Sequence, residues 1–228
     1  MAQLLGVLEQ GLIYAVLALG VYITFKILDF PDMTVDSTFP LGAAVTALMI
    51  SNGIHPLLTL PASLLAGAAA GALTGVIHVK FHVRDLLSGI IMMTGLYSIN
   101  LHIAGRANVQ LFSFNTLFKN DFISGLPTGV QPYAPVILMA LVALIVKLLM
   151  DAYLSTRSGF LLRATGDNPT LVASLAKDSG KVKILGLAIA NALVALSGCI
   201  MCQYQRYFDI SMGTGTLVLA VASVIVGT

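Results

Sequence analysis

The chain has 228 residues, of which 57% are apolar and only 10% charged, with a formal net charge of +2. A soluble domain carries about 25% charged residues, so this sequence lacks the polar surface that a water-soluble fold needs, and a mean hydropathy of +0.93 points to lipid as its solvent. The small net charge gives no reason to invoke nucleic acid, and the two cysteines, Cys199 and Cys202, lie in an apolar run and form no disulfide framework.

A spanning helix needs about 20 mostly apolar residues. The first apolar run covers residues 4–25; no basic region precedes it and no small-residue cleavage site follows, so it reads as a retained helix and not a signal peptide. A short run over 39–50 comes next, followed by runs over 57–79, 86–104, 133–150 and 182–202. A seventh begins near 216 and is still apolar at Thr228. The pattern predicts an all-α, polytopic transmembrane helical protein with broken helices, forming one membrane domain over 1–228. Within the third run, Gly67, Gly71 and Gly75 fall on one face with Ala69, Ala70 and Ala72 nearby. Small residues let helices approach closely; general tight packing is the simpler reading and a specific helix pair the sharper one. Glu9 inside the first run is a functional candidate by default, although it is near enough to the helix start to reach water. Lys147 can snorkel to the membrane surface. His55, His78, His82 and His102 lie near helix ends, where packing fits better than a proton relay.

Charge sorts the loops. With the N-terminus outside, Lys26, Lys80, Arg84, Lys147, Arg157, Arg163, Lys177, Lys181 and Lys183 fall inside or at the inner interface, and Arg106, Lys119 and Arg206 fall outside. That asymmetry follows the positive-inside rule.

The segment Asp32-Met33-Thr34-Val35-Asp36-Ser37 resembles Asp209-Ile210-Ser211-Met212-Gly213-Thr214 at an offset of 177 residues (209 − 32). The same offset pairs Ala15 with Ala192, Ala18 with Ala195, Leu19 with Leu196, Ile23 with Ile200 and Ala43 with Ala220. An odd number of helices separates the two copies, so the second inserts upside down. Inverted repeats with broken helices recur in transporters, with the pathway at the repeat interface. The first unit covers about 1–180; the second starts near 181 and reads as incomplete, which predicts that the natural protein continues.

Three polar segments carry the functional expectations. Residues 29–38 hold Asp32, Thr34, Asp36, Ser37 and Thr38, with Pro31 and Pro40 expected to interrupt the helix. They read as a pathway lining or gate, or else as a solvated loop with helix caps. Residues 209–216 supply Ser211, Thr214 and Thr216, with Gly213 and Gly215 permitting an unwound approach; the alternative is an ordinary capping turn. In the loop over 151–183, Arg163-Ala164-Thr165-Gly166-Asp167-Asn168-Pro169 leads into Leu171, Val172 and Leu175. Asn168 suits an N-cap, Pro169 the first helical position, Lys177 the last turn and Gly180 the residue after it. This predicts a short amphipathic helix that docks into a partner's groove or rests on lipid.

The stretch from Arg163 to Pro169, with Ala173 and the apolar helix after it, resembles the cytoplasmic loop of bacterial ABC importer permeases of the branched-chain amino acid/ribose type. Residues 220–228 resemble that family's later Gly-Thr segment, and residues 32–43 look closest to its tryptophan/tyrosine permease subgroup. The resemblance implies a multi-pass protein of the bacterial inner membrane. It implies a second permease copy, cytoplasmic ATP-binding subunits and an external solute-binding protein. It makes Arg163, Gly166, Asp167, Asn168, Pro169, Leu171 and Leu175 the ATPase coupling region. The outer loop over 105–131 carries no family motif.

No G-x-x-x-x-G-K-[ST] phosphate loop occurs, so ATP hydrolysis is expected from a separate subunit and the chain is not expected to be an enzyme. H-E-x-x-H and G-x-S-x-G are also missing, and one C-x-x-C pair alone makes a poor zinc site. No catalytic residue, metal or cofactor is expected. The reading is a membrane-spanning importer subunit for a small amino-acid-like solute, aromatic or branched-chain. Its alternatives are an importer for a sugar or nucleoside, and an ion-coupled secondary carrier using Asp32, Asp36 or Glu9. An intramembrane enzyme lacks a catalytic pair.

Overall fold

The computed structural model describes residues 2–119, 131–168, 170, 172 and 178–227. Eight α-helices occur among them: α1 (Ala2–Tyr22), α2 (Val35–Ser51), α3 (Pro56–Lys80), α4 (Asp85–Ala104), α5 (Ala134–Leu154), α6 (Arg157–Asp167), α7 (Ser179–Gln205) and α8 (Thr216–Gly227). A π-helical turn, Ile23–Ile27, prolongs α1, and a 3-10 turn, Ile210–Gly213, precedes α8. Six segments of the described residues are long and apolar enough to cross a membrane, and α2, with 17 residues, is shorter. The chain is an all-α polytopic membrane protein.

Local chemistry sets the helix boundaries. Pro56 opens α3, where its missing N–H costs nothing. Gly105, at φ 70°, closes α4. Thr156 caps α6 by accepting from the Gly159 N–H at 3.3 Å. α6 is a helix that the run lengths did not predict.

The interior is organised around α7. All three glycines of α3 face it. A Cβ at Gly67 would stand 2.4 Å from the Asn191 carbonyl oxygen, one at Gly71 2.1 Å from that of Leu187, and one at Gly75 2.8 Å from Ile184 Cα. The glycine row therefore makes a specific helix pair, and the expectation of general tight packing is corrected. α2 crosses α7 as closely. Cβ atoms at Gly42 and Gly198 would each lie 1.9 Å from a carbonyl oxygen of the other helix, Ala195 and Phe39 respectively. Ile13, Leu17, Val21, Val35, Phe39, Val194 and Ile200 form one buried cluster across α1, α2 and α7.

Pro40 corrects a second expectation. It lies inside α2, which begins at Val35 and runs through it. Past the first turn, a proline removes the N–H that would reach the carbonyl four residues back, here that of Asp36. Gly213 packs against this carbonyl, and a Cβ there would come within 2.0 Å of it. The break in the chain lies earlier, before α2, where Asp29 takes a left-handed φ of 51°.

The two ends of the bundle differ. At one end Val79 packs on Gly180 and Gly166 packs on the Ile27 carbonyl, which brings together the segments carrying Lys26, Lys80, Arg84, Arg157, Arg163, Lys181 and Lys183. At the other, β1 (Asn108–Gln110) pairs antiparallel with β2 (Tyr207–Asp209), Asn108 opposite Asp209 and Gln110 opposite Tyr207. That ladder ties the segment after α4 to the end of α7. Arg206 stacks over the Phe112 ring at 5.6 Å and donates to the Phe112 carbonyl.

Candidate functional site

Two helices start inside the protein. The first turn of α2 lies against the middle of α4: the Ser37 hydroxyl donates to the Met93 carbonyl at 2.8 Å, and Asn100 Nδ2 donates to the Ser37 carbonyl at 2.9 Å. Met93 is about 12 Å along α4 from its first residue, well inside a hydrocarbon layer of about 30 Å. α8 starts at the same depth, because its first residues bind Asp36. That carboxylate accepts from the Leu217 N–H at 2.9 Å, the Gly215 N–H at 3.3 Å and the Thr216 hydroxyl at 3.2 Å. A helix start leaves N–H groups unpaired and carries a partial positive charge. Asp36 therefore caps α8 from another helix, and the turn before it relies on Gly215 at φ 82°.

Asp32, only 1% exposed, holds the break before α2 in place. Its Oδ1 accepts from the Thr34 N–H at 2.9 Å and its Oδ2 from Asn191 Nδ2 at 2.7 Å. The Thr34 hydroxyl meets that of Thr74 at 3.1 Å, and the Thr38 hydroxyl returns to the Thr34 carbonyl at 3.0 Å. Asp32, Thr34, Ser37 and Thr38 are thus buried against protein. Ser211 and Thr214 are exposed and Thr216 is buried. The structure joins Asp36 to Thr216 directly and keeps Asp32 and Asp209 apart, on segments that follow α1 and α7.

Asp209 repeats the turn of Asp32. Its Oδ1 accepts from the Ser211 N–H at 2.8 Å, two residues on, as Asp32 does from Thr34. The Ser211 hydroxyl and N–H hold the Asp209 carboxyl below its ordinary pKa. Contacts between α1 and α7 pair up under the 177-residue offset as well. The Ser197 hydroxyl donates to the Ile13 carbonyl at 2.8 Å; shifting both positions by the offset gives 20 and 190, and a Cβ at Gly20 would lie 2.8 Å from the Ala190 carbonyl oxygen.

In the expected coupling region, Arg163, Gly166 and Asp167 belong to the end of α6 and Asn168 terminates it. Arg163, Asp167 and Asn168 are exposed, while Leu162 and Thr165 are buried. The Asn168 carbonyl accepts from the Val172 N–H at 3.4 Å. Pro169, Leu171, Leu175 and Lys177 lie outside the described residues. Asp178 caps α7, and the Lys181 N–H holds its carboxyl below the ordinary value. Beside it His78 bridges Asp85 at 3.1 Å and Lys183 at 3.3 Å. Glu9 is mostly buried and accepts from the Tyr204 hydroxyl at 2.6 Å. Lys147 pairs with Asp151 at 3.1 Å.

Sequence reasoning passed over Asn191, Thr74 and Asn100. The two amides carried a usable signal, since a lone polar side chain within an apolar span is costly unless it is paired.

Residues 3–228 match the family model described as branched-chain amino acid transport system / permease component. The chain belongs to that family of transport permeases. It is 44% identical over 227 residues to the tyrosine transport system permease protein of Clostridioides difficile (strain R20291), spanning 100% of this chain and 73% of that protein. It is 28% identical over 226 residues to the ribose import permease protein RbsC of Escherichia coli (strain K12), spanning 99% of this chain and 68% of that protein. It is also 27% identical over 234 residues to the probable branched-chain amino acid transport permease protein LivH of Methanocaldococcus jannaschii, spanning 93% of this chain and 70% of that protein. No solved structure matches.

Proposed function

We propose that this permease is the membrane subunit of an ATP-driven importer for an aromatic amino acid, working as a pair of copies with cytoplasmic ATP-binding subunits and an external solute-binding protein. The observation that carries the solute class is the similarity, along the whole chain, to a tyrosine transport permease. The basic end of the bundle faces the cytoplasm and the β1–β2 end faces outward, following the positive-inside rule. The units that begin near 1 and 181 are inverted copies; the matching turns at Asp32 and Asp209 and the paired α1–α7 contacts support this. Asp36 and Thr216 form the closure where the two interrupted segments meet, and Thr214 lines the approach.

The exposed end of α6, with the stretch over 168–177, is the coupling surface. Motion of a docked ATPase there reaches the closure through Gly166, packed on the turn that leads to Asp32 and α2. Purification of the tagged chain from native membranes tests this reading. A co-purifying ATPase and ATP-dependent tyrosine uptake are expected. Uptake driven by a proton gradient, with no ATPase bound, overturns the reading in favour of an ion-coupled carrier, for which the buried Asp32 carboxylate is the supporting observation.

A further inference from the structure

We propose that the corner between α3 and α4, together with the start of α7, binds the headgroup of an anionic phospholipid through Arg84 and Lys183. The site needs only that this basic end lies at a membrane surface, and it stands whichever solute the permease moves. α3 ends at Lys80 and α4 starts at Asp85, and both helices are long and apolar enough to cross a membrane. Residues 81–84 between them therefore sit where a span leaves the hydrocarbon, at headgroup level. His82, at a left-handed φ of 54°, turns the chain there.

A cleft of about 560 Å³ opens at this corner, lined by His78, His82, Arg84 and Asp85 from the α3–α4 side and by Asp178 and Lys183 from the α7 side. Its two carboxylates are already engaged. Asp85 pairs with His78 at 3.1 Å; Asp178 accepts from the Lys181 N–H at 3.2 Å and pairs with the Lys181 ammonium at 3.4 Å. The two cations keep free donors. Arg84 is exposed, and its guanidinium makes no hydrogen bond or ion pair among the described residues. His78 Nδ1 faces two acceptors, the Asp85 carboxylate and the Val83 carbonyl at 2.9 Å, so in the neutral ring it holds the proton and Nε2 accepts from Lys183 at 3.3 Å. An ammonium has three N–H groups, so Lys183 has others to offer. No side chain caps α4, which leaves the N–H groups of its first turn open as well. Basic pockets between spanning helices at a membrane surface take anionic headgroups. The surroundings favour a lipid over a free anion. Phe81 beside the cleft is 72% exposed, and Leu87 and Ile91, four apart on one face of α4, are about half exposed. A phospholipid matches both surfaces, with its phosphate between Arg84 and Lys183 and its acyl chains along that apolar strip.

Thermal unfolding of the full chain, purified and delipidated in a neutral detergent, tests the site. Dioctanoyl phosphatidylglycerol should raise the wild-type midpoint saturably, because it binds the folded state, and dioctanoyl phosphatidylcholine at equal concentration should not. The half-saturating concentration should rise at least about fivefold in Arg84→Gln and in Lys183→Gln, with Arg84→Lys between Arg84→Gln and the wild type. Lys147→Gln removes a cation of α5 outside the cleft and should respond as the wild type does. Arg84 is exposed and unpaired, so Arg84→Gln should fold normally, and its midpoint without lipid checks that. An equal shift with inorganic phosphate, lost in Arg84→Gln, overturns the lipid in favour of a free anion. The absence of a saturable shift, a response that Arg84→Gln keeps in full, or one that Lys147→Gln loses equally overturns the site.

Discussion

Asp32 carries its carboxylate where no cation balances it among the described residues: one backbone N–H and one amide satisfy it. Removing one partner of a buried hydrogen bond leaves the other unsatisfied. Asn191→Leu should therefore lower stability by about 1–3 kcal/mol, more than Asp32→Asn, which keeps an acceptor for the Thr34 N–H. Thermal unfolding midpoints in detergent check this ordering, and the reverse order would show that Asp32 is not held by Asn191. Asp36→Ala removes the cap of α8, worth about 1 kcal/mol in stability, but should abolish most tyrosine uptake because it opens the closure. Both carboxylates were visible in the sequence as charges beside apolar runs. Their pairings were not, since Asn191 stands 159 residues from Asp32 and nothing local marks the match.

Helices set by bilayer thickness were legible from run length, and so were their ends, because Pro56 and Gly105 act through local backbone geometry. Elements held by distant partners were hidden. β1 has three residues and exists through its ladder to β2. α6 is short and only weakly apolar, and its order comes from Leu162 and Thr165 packing inward. Pro40 misled because a helix can accept proline where a neighbour, here Gly213, covers the freed carbonyl. Gly71→Val should separate α3 from α7 and cost at least about 1–3 kcal/mol. Gly95→Ala, with nothing within 4 Å of its added Cβ, should be neutral or stabilising by up to about 1 kcal/mol; the same thermal scan compares them. Asp178 acts at the start of α7. Its lowered pKa means that its cap is present above the ordinary carboxylate range and is lost as pH falls through that lowered value. Acid should loosen the wild-type α7 start in limited proteolysis, and Asp178→Ala should be loose at neutral pH already.

Across the whole molecule, the charge pattern and the family resemblance were legible because both reside in local composition. The meeting of two helix starts at Asp36 was not, since it depends on how segments 179 residues or more apart pack. The proposed orientation rests on the segregated cations. An impermeant thiol reagent added outside should label Ser113→Cys near the β1–β2 end and not Ser155→Cys at the basic end, both exposed; the opposite pattern inverts the protein.

The most direct measurement of the importer itself is tyrosine uptake in cells carrying the intact system, with ATP and the proton gradient set independently. Uptake should persist when an uncoupler collapses the gradient at maintained ATP and should stop when ATP is depleted. Uptake that stops with the gradient and survives ATP depletion would contradict an ATP-driven importer.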